Sequence, residues 1–156
     1  MAEFSEISKK EIEEILNHYP TKQAALLPVL WVAQEQFGWI SEGVMDLVAQ
    51  TLDISPAHVY GVVTFYTMYY RKPVGRCHIQ VCRTLPCALM GAESILEHLE
   101  KKLGIKEGET TPDGQFTLST VECLASCGTA PMLRLNEEYR ENLTPEKIDQ
   151  LLAALK

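Results

Sequence analysis

The sequence predicts an α+β chain in two parts: an N-terminal helical bundle over residues 1–72, then a domain with a small mixed sheet over residues 73–156. Three observations predict it. Apolar residues recur at helical spacing through the first part. After Lys72-Pro73 the pattern changes to alternation at His78–Cys82. All five cysteines lie in the second part, at 77, 82, 87, 123 and 127.

The elements follow in order. Ser8-Lys9-Lys10-Glu11 has the form of a capping box, which predicts a helix opening there with Ile12, Ile15, Leu16 and Tyr19 inward and Pro20 as its stop. A second helix is predicted within Lys22–Phe37, with Leu26, Leu30, Ala33 and Phe37 on one side. Pro28 sits in its first turns or bends it, and Gly38 ends it. Ser41 caps a third helix presenting Val44, Leu47, Val48 and Leu52. Ser55-Pro56 is an N-cap and N1 pair for a fourth, with Val59, Val62, Val63 and Tyr66 inward. In the second part, strand His78–Cys82 precedes a helix from Gly91 to Leu103 whose apolar side is Ile95, Leu96 and Leu99. Gly108–Gly114 is a turn-rich loop. Phe116–Val121 and Pro131–Leu135 read as strands, and Asn136-Glu137-Glu138 turns the chain towards Tyr139. Thr144-Pro145-Glu146 opens a last helix with Ile148, Leu151, Leu152 and Leu155 on one face.

Composition excludes several classes. The chain has 156 residues, 46% hydrophobic and 22% charged, with a net charge of -7. Wholesale disorder is ruled out, and a general nucleic-acid binder would carry the opposite sign. Residues 44–63 resemble a helix-turn-helix, but from Gln23 to Tyr70 there is not one Lys or Arg to meet a phosphate. Two packed helices are expected there instead. The longest apolar run is Ala24 to Ala33, well short of the roughly 20 residues of a membrane span. The N-terminus is acidic and polar, unlike a secretory signal, so a cytoplasmic protein is expected. None of the nine glycines forms G-x-G, and there is no G-x-x-x-x-G-K-[ST], so no nucleotide fingerprint is present.

Chemistry is concentrated in the cysteines. Four form two pairs, Cys82-x4-Cys87 and Cys123-x3-Cys127, with 35 residues between them. An odd total without a secretion signal argues against a disulfide framework. Both pairs sit where a strand gives way to a loop, so four thiolates can converge on one point. Their mutual repulsion requires a cation. A [2Fe–2S] centre needs four protein ligands and lowers the charge of the whole to about -2. A structural zinc site with four thiolates is the alternative, since zinc pairs admit spacings up to x4. A dithiol redox protein is weaker, because no C-x-x-C exists. The pairing by sequence expects Cys82 and Cys87 on one iron and Cys123 and Cys127 on the other. Cys77 is expected to be a small buried hydrophobe. The scattered His18, His58, His78 and His98 are expected on the surface or in packing.

The surroundings are expected to suit an anion. A helix after Cys87 would aim its N–H groups at the loop, Arg83 stands beside the first ligand, and Gly128 would take positive φ or approach sulfur closely. Leu85, Pro86, Leu89, Met90, Leu124 and Ala125 would keep water away. Five of the aromatics fall in residues 60–70, and core packing between helices and sheet is expected of them, with a docking surface as the alternative.

At these residues a resemblance is plain. H-I-Q-V-C-R-T-L-P-C, G-E-T-T-P-D-G-Q-F-T-L and V-E-C-L-A-S-C-G-T-A-P resemble the thioredoxin-like [2Fe–2S] ferredoxin family, and most nearly its members built into respiratory NADH:quinone oxidoreductase. L-L-P-V-L-W-V-A-Q-E-Q-F-G-W and V-Y-G-V-V-T-F-Y-T-M-Y-Y resemble the helical extension of those members, so the likeness spans roughly residues 8–155. Met90 departs from the pattern, where relatives often carry a basic or polar residue. The resemblance implies a thioredoxin-like domain over residues 73–156. It implies one [2Fe–2S] cluster held by Cys82, Cys87, Cys123 and Cys127, and no catalytic residue on this chain. It implies a partner, the flavin-bearing F subunit, which would carry FMN and oxidise NADH. The chain would then pass electrons without binding nucleotide and lie at the inner membrane only through the complex. A ferredoxin subunit of an NAD-linked hydrogenase or formate dehydrogenase would share the same local chemistry, and a zinc-stabilised interaction subunit would not. A cis Ala130-Pro131 bond is also expected from the likeness of Pro131 to the cis-proline of thioredoxin-like folds.

Overall fold

A computed structural model describes residues 2–155. These separate into two compact units that divide between Pro73 and Val74.

The first unit is helical. Helix α1 spans Glu6–His18, a 3-10 turn covers Gln23–Ala25, and α2, α3 and α4 span Leu26–Phe37, Glu42–Leu52 and Pro56–Phe65. Helix α1 begins earlier than its capping-box pattern suggests. Ser5 is the cap, and its hydroxyl accepts the amide hydrogen of Ser8 at 3.1 Å. Pro28 is the third residue of α2, where its missing N–H costs nothing. Gly38 closes α2 at φ 77, a conformation that favours glycine, and Ser41 caps α3 through the amide of Val44 at 3.3 Å. Helices α3 and α4 pack on each other across a turn at Asp53.

The core of this unit is Val29, Leu30, Ile40, Val48, Leu52 and Val59, all with essentially no exposed surface. Buried Gln34 is satisfied at both ends: its amide donates to the Met68 carbonyl at 3.0 Å and its oxygen accepts from the Tyr70 amide at 2.7 Å. Of the aromatic run, Tyr69 joins this core and donates its hydroxyl to the Leu27 carbonyl at 2.8 Å. Tyr60, Phe65 and Tyr66 stand exposed, so these three do not pack as core, and Tyr69 is buried within the helical unit itself.

The second unit is a four-stranded mixed sheet with helices. Its elements are β1 (Cys77–Cys82), α5 (Leu85–Leu89), α6 (Ala92–Leu103), β2 (Phe116–Val121), a 3-10 turn (Cys127–Thr129), β3 (Leu133–Leu135), β4 (Glu138–Arg140) and α7 (Pro145–Ala154). The sheet order is β2-β1-β3-β4. Strands β1 and β2 are parallel, with Cys77 opposite Phe116 and Cys82 opposite Val121. That pairing requires a crossover, which α5 and α6 supply. Strands β3 and β4 add antiparallel.

Ile79, Leu118 and Leu133 from three strands meet Leu99 of α6 and Ile148 of α7 in one apolar cluster. All six residues of β1 are buried. The polar members on its other side find partners: His78 Nε2 lies 2.7 Å from Ser119 Oγ, and Arg134 donates to Gln80 at 2.9 Å. Cys77 lies in the apolar cluster as a small hydrophobe. The Ala130-Pro131 bond is cis. Gly75 sits where an added Cβ would meet backbone atoms of Gly114 and Phe116 at 2.9 Å.

Candidate metal centre

The register of β1 and β2 decides where the first cysteine of each pair emerges. Parallel neighbours end on the same edge of a sheet, and Cys82 opposes Val121 there. Cys82 is the last residue of β1, and Cys123 follows β2 by two positions. Arg83 continues the pairing through its amide to the Val121 carbonyl at 3.0 Å, which holds the two loops side by side.

Cys82 is buried. Its sulfur lies 3.2 Å from the Thr84 hydroxyl and 3.5 Å from the Glu122 carbonyl. Burial pushes this thiol up. Hydrogen bonds from the Thr84 hydroxyl, the amides of Thr84 and Leu124, and the Cys87 thiol outweigh that and hold it below its ordinary value. Cys87 is also buried and is raised, first by burial and then by its hydrogen bond to Cys82. The amide of Met132 opposes this, and the charges of Cys82 and Cys127 add to it. The two shifts oppose each other, so of the pair Cys82 gives up its proton more readily than Cys87.

Cys123 and Cys127 are exposed. The Cys123 sulfur accepts the amide of Ala125 at 3.4 Å, and Ala125 adopts φ 60 to aim it. Cys127 opens the 3-10 turn, close enough to Cys87 to act on its charge. Thus Cys87 is hydrogen-bonded to Cys82 and has Cys127 near enough to act on its charge, while Cys123 stands earlier on the loop that carries Cys127. Among the described residues, no three His, Cys, Asp or Glu side chains form a cage for a single metal ion.

The donor set fits a two-iron centre. It is all sulfur, in two local pairs at one sheet edge, with amide hydrogens aimed at Cys82, Cys87 and Cys123. Donors of this kind stabilise thiolate charge, which four convergent sulfurs need.

Three expectations about the surroundings are corrected. The helix expected after Cys87 is present as α6, but Cys87 itself lies inside the short helix α5, and the N–H groups that reach the sulfurs come from Thr84, Leu124, Ala125 and Met132. The left-handed residue of the second loop is Ala125, and Gly128 is not among the positive-φ residues. Leu85, Leu89 and Met90 do not shield the sulfurs from water: they are 70%, 78% and 61% exposed. Helix α5 turns Cys87 inward and these three outward. Arg83 does stand beside the first ligand candidate, with its guanidinium 3.9 Å from the Glu122 carboxylate.

A family model for the thioredoxin-like [2Fe–2S] ferredoxin matches residues 12–156. The chain is 43% identical over 148 residues to an NADH-quinone oxidoreductase subunit of Rhizobium meliloti (strain 1021), covering 95% of this chain and 88% of that one. It is 46% identical over 143 residues to the corresponding NADH-quinone oxidoreductase subunit of Rickettsia felis, covering 90% and 86%. Among solved structures, an NAD+-reducing [NiFe]-hydrogenase in the air-oxidized state superposes with a TM-score of 0.71 at 17% identity. That likeness covers 81% of this chain and 22% of the hydrogenase chain, and it concerns the fold.

Proposed function

The chain belongs to the thioredoxin-like [2Fe–2S] ferredoxin family, and from that premise we propose that it is the electron-carrying [2Fe–2S] subunit of an NADH:quinone oxidoreductase. Relatives at 43% and 46% identity over nearly the whole chain are subunits of such complexes. The observation that carries the reading is the shared sheet edge: two thiol pairs leave parallel neighbours β1 and β2, and Cys87 there has Cys82 hydrogen-bonded to it and Cys127 near enough to act on its charge.

In this proposal Cys82, Cys87, Cys123 and Cys127 hold the cluster. When bound, a [2Fe–2S] cluster supplies storage for one electron at a time. The protein's part is positional and electrostatic. Cys82 reaches the site already biased towards thiolate, which lowers the cost of giving up its proton to metal. The amides of Thr84, Leu124, Ala125 and Met132 and the Thr84 hydroxyl offset the negative charge gathered on the sulfurs. The second loop leaves Cys123 and Cys127 exposed, so a partner's redox group can come near.

The proposed partner is the flavin- and NADH-binding F subunit. Leu85, Leu89 and Met90 form an exposed apolar rim beside buried Cys87, the composition expected at the centre of a protein interface. The chain would accept one electron there. No helix among the described residues is long and apolar enough to cross a membrane, so the membrane would be met through other subunits of the complex.

The test is a visible and EPR spectrum of anaerobically purified protein before and after dithionite. A coloured protein whose EPR signal appears on reduction is expected. A colourless protein with one equivalent of zinc would overturn the proposal in favour of a zinc-stabilised interaction subunit.

A further inference from the structure

The second cysteine loop is tied down from outside. Ser126 and Thr129 flank Cys127-Gly128, and both donate their hydroxyls to one oxygen, Glu141 Oε1. The Thr129 bond is 2.6 Å, and Ser126 is hydrogen-bonded to the same atom. The two hydroxyl oxygens also lie 2.8 Å apart, which closes a triangle around the base of the loop. Glu141 follows β4 directly, and the chain beyond it runs along the loop: the amide of Asn142 donates to the Thr129 carbonyl at 2.7 Å and that of Leu143 to the Pro131 carbonyl at 2.9 Å. The two hydroxyls hold the carboxyl of Glu141 below its usual range, so it is ionised and accepts at neutral pH.

We propose that Glu141 is a positioning residue for the cluster: by accepting from Ser126 and Thr129 it fixes the turn that presents Cys127. The inference rests on the reading of Cys127 as an iron ligand. The first pair needs no such device, because Cys82 ends a strand and Cys87 sits in a helix, both buried. Cys127 lies in an exposed three-residue turn without strand partners, and without the clamp its ordering entropy would fall on iron binding alone.

One acceptor oxygen serving both donors makes the role separable from charge. Glu141→Gln keeps a carbonyl oxygen that can accept both hydroxyls, whereas Glu141→Ala removes it. The readouts are iron per chain, the rate of bleaching by an iron chelator, the EPR line shape of the reduced protein, and amide hydrogen exchange at Ser126–Thr129 in the full chain prepared without iron. Glu141→Ala is expected to bleach about tenfold faster, to alter the line shape, and to lose about tenfold in exchange protection at the turn. Glu141→Gln is expected to stay within about threefold of the parent, since an uncharged acceptor keeps about half the bond strength. Thr129→Val, which removes one donor, is expected to fall between them and serves if the alanine variant does not fold. Bleaching and exchange unchanged in Glu141→Ala would overturn the clamp. So would a glutamine variant as impaired as alanine, which would assign the effect to charge. A parent protein that takes up no iron, yet shows the exchange difference, would leave the clamp standing and overturn the cluster reading beneath it.

Discussion

Cys82 donates its amide hydrogen to the Met132 carbonyl at 3.2 Å, and the amide of Met132 points back at the sulfur of Cys87. One buried peptide segment thus holds both members of the first pair, the backbone of one and the sulfur of the other. Met132 has no exposed surface and begins the run into β3, which is itself locked antiparallel to β1. The two loops and this crossing segment form one unit, so the sulfurs inherit the rigidity of the sheet core.

Serine in place of each cysteine separates ligands from packing. Cys82→Ser, Cys87→Ser, Cys123→Ser and Cys127→Ser are each expected to lower bound iron to well below half of the parent, since a two-iron centre needs all four sulfurs. Cys77→Ser is expected to keep full iron at a stability cost of about 1 kcal/mol for a hydroxyl placed in an apolar cluster. Iron assay of the five purified variants checks this. Equal iron in all five would remove the four residues from the site.

Thr84 tunes the first pair. Its hydroxyl is 3.2 Å from the Cys82 sulfur, and towards a thiolate the hydroxyl must be the donor. The bond grows stronger as negative charge on sulfur increases, so it favours the reduced state. Thr84→Val keeps the shape and removes the donor. Its expected result is a reduction potential lower by about 40 mV, the equivalent of one hydrogen bond of about 1 kcal/mol in a one-electron couple. A redox titration followed by EPR measures it, and an unchanged or raised potential would show that Thr84 contributes no net donor.

The sequence carried the cysteine pairs and the element order because both are written in local signals. The cysteines are paired by spacing, and Gly38, Ser41, Ser55-Pro56 and Thr144 mark helix ends by backbone or capping preferences that act within a few residues. What escaped is what long-range geometry decides. Nothing in Leu85-Pro86-Cys87-Ala88-Leu89 says that five residues will coil, yet that short turn buries Cys87 and throws Leu85 and Leu89 outward. The donors at sulfur are backbone amides, which every residue has, so no residue type could announce them. Left-handed Ala125 escaped for the opposite reason, because glycine is the usual marker of that conformation and Gly128 drew attention to the wrong position. Ser126, Thr129 and Glu141 meet across twelve or more residues and belong to the same class of invisible contact.

The exposed rim gives a prediction about association. Leu89 is 78% exposed and Leu85 70% exposed on the outer side of α5. A charge at either place leaves the core untouched, so Leu89→Asp is expected to keep iron content and thermal stability. Its affinity for the proposed flavin-bearing partner should fall about tenfold or more, the usual effect of spoiling an apolar anchor. Co-purification from cells making both chains reads the loss directly. Full association of Leu89→Asp and of Leu85→Asp would put the partner on another face.

His78 predicts how the second unit responds to acid. It is 6% exposed, and burial, helped by the positive charge of Arg134, lowers its pKa to about 4 against 6.5 in an unfolded chain. The sign follows from proton counts. Above pH 6.5 both states are neutral and the full stability is present. Below it the unfolded chain takes up a proton first, so stability falls with pH until about 4, where the folded protein is protonated too. By about pH 4.5 the loss from this residue reaches roughly 2.5 kcal/mol. His78→Gln keeps an amide to meet Ser119 and cannot titrate, so its stability should decline less between about pH 7 and pH 4.5, by that same amount. Denaturant unfolding of parent and variant at the two pH values gives the difference of the two declines. Parallel declines would mean that the buried imidazole does not resist protonation.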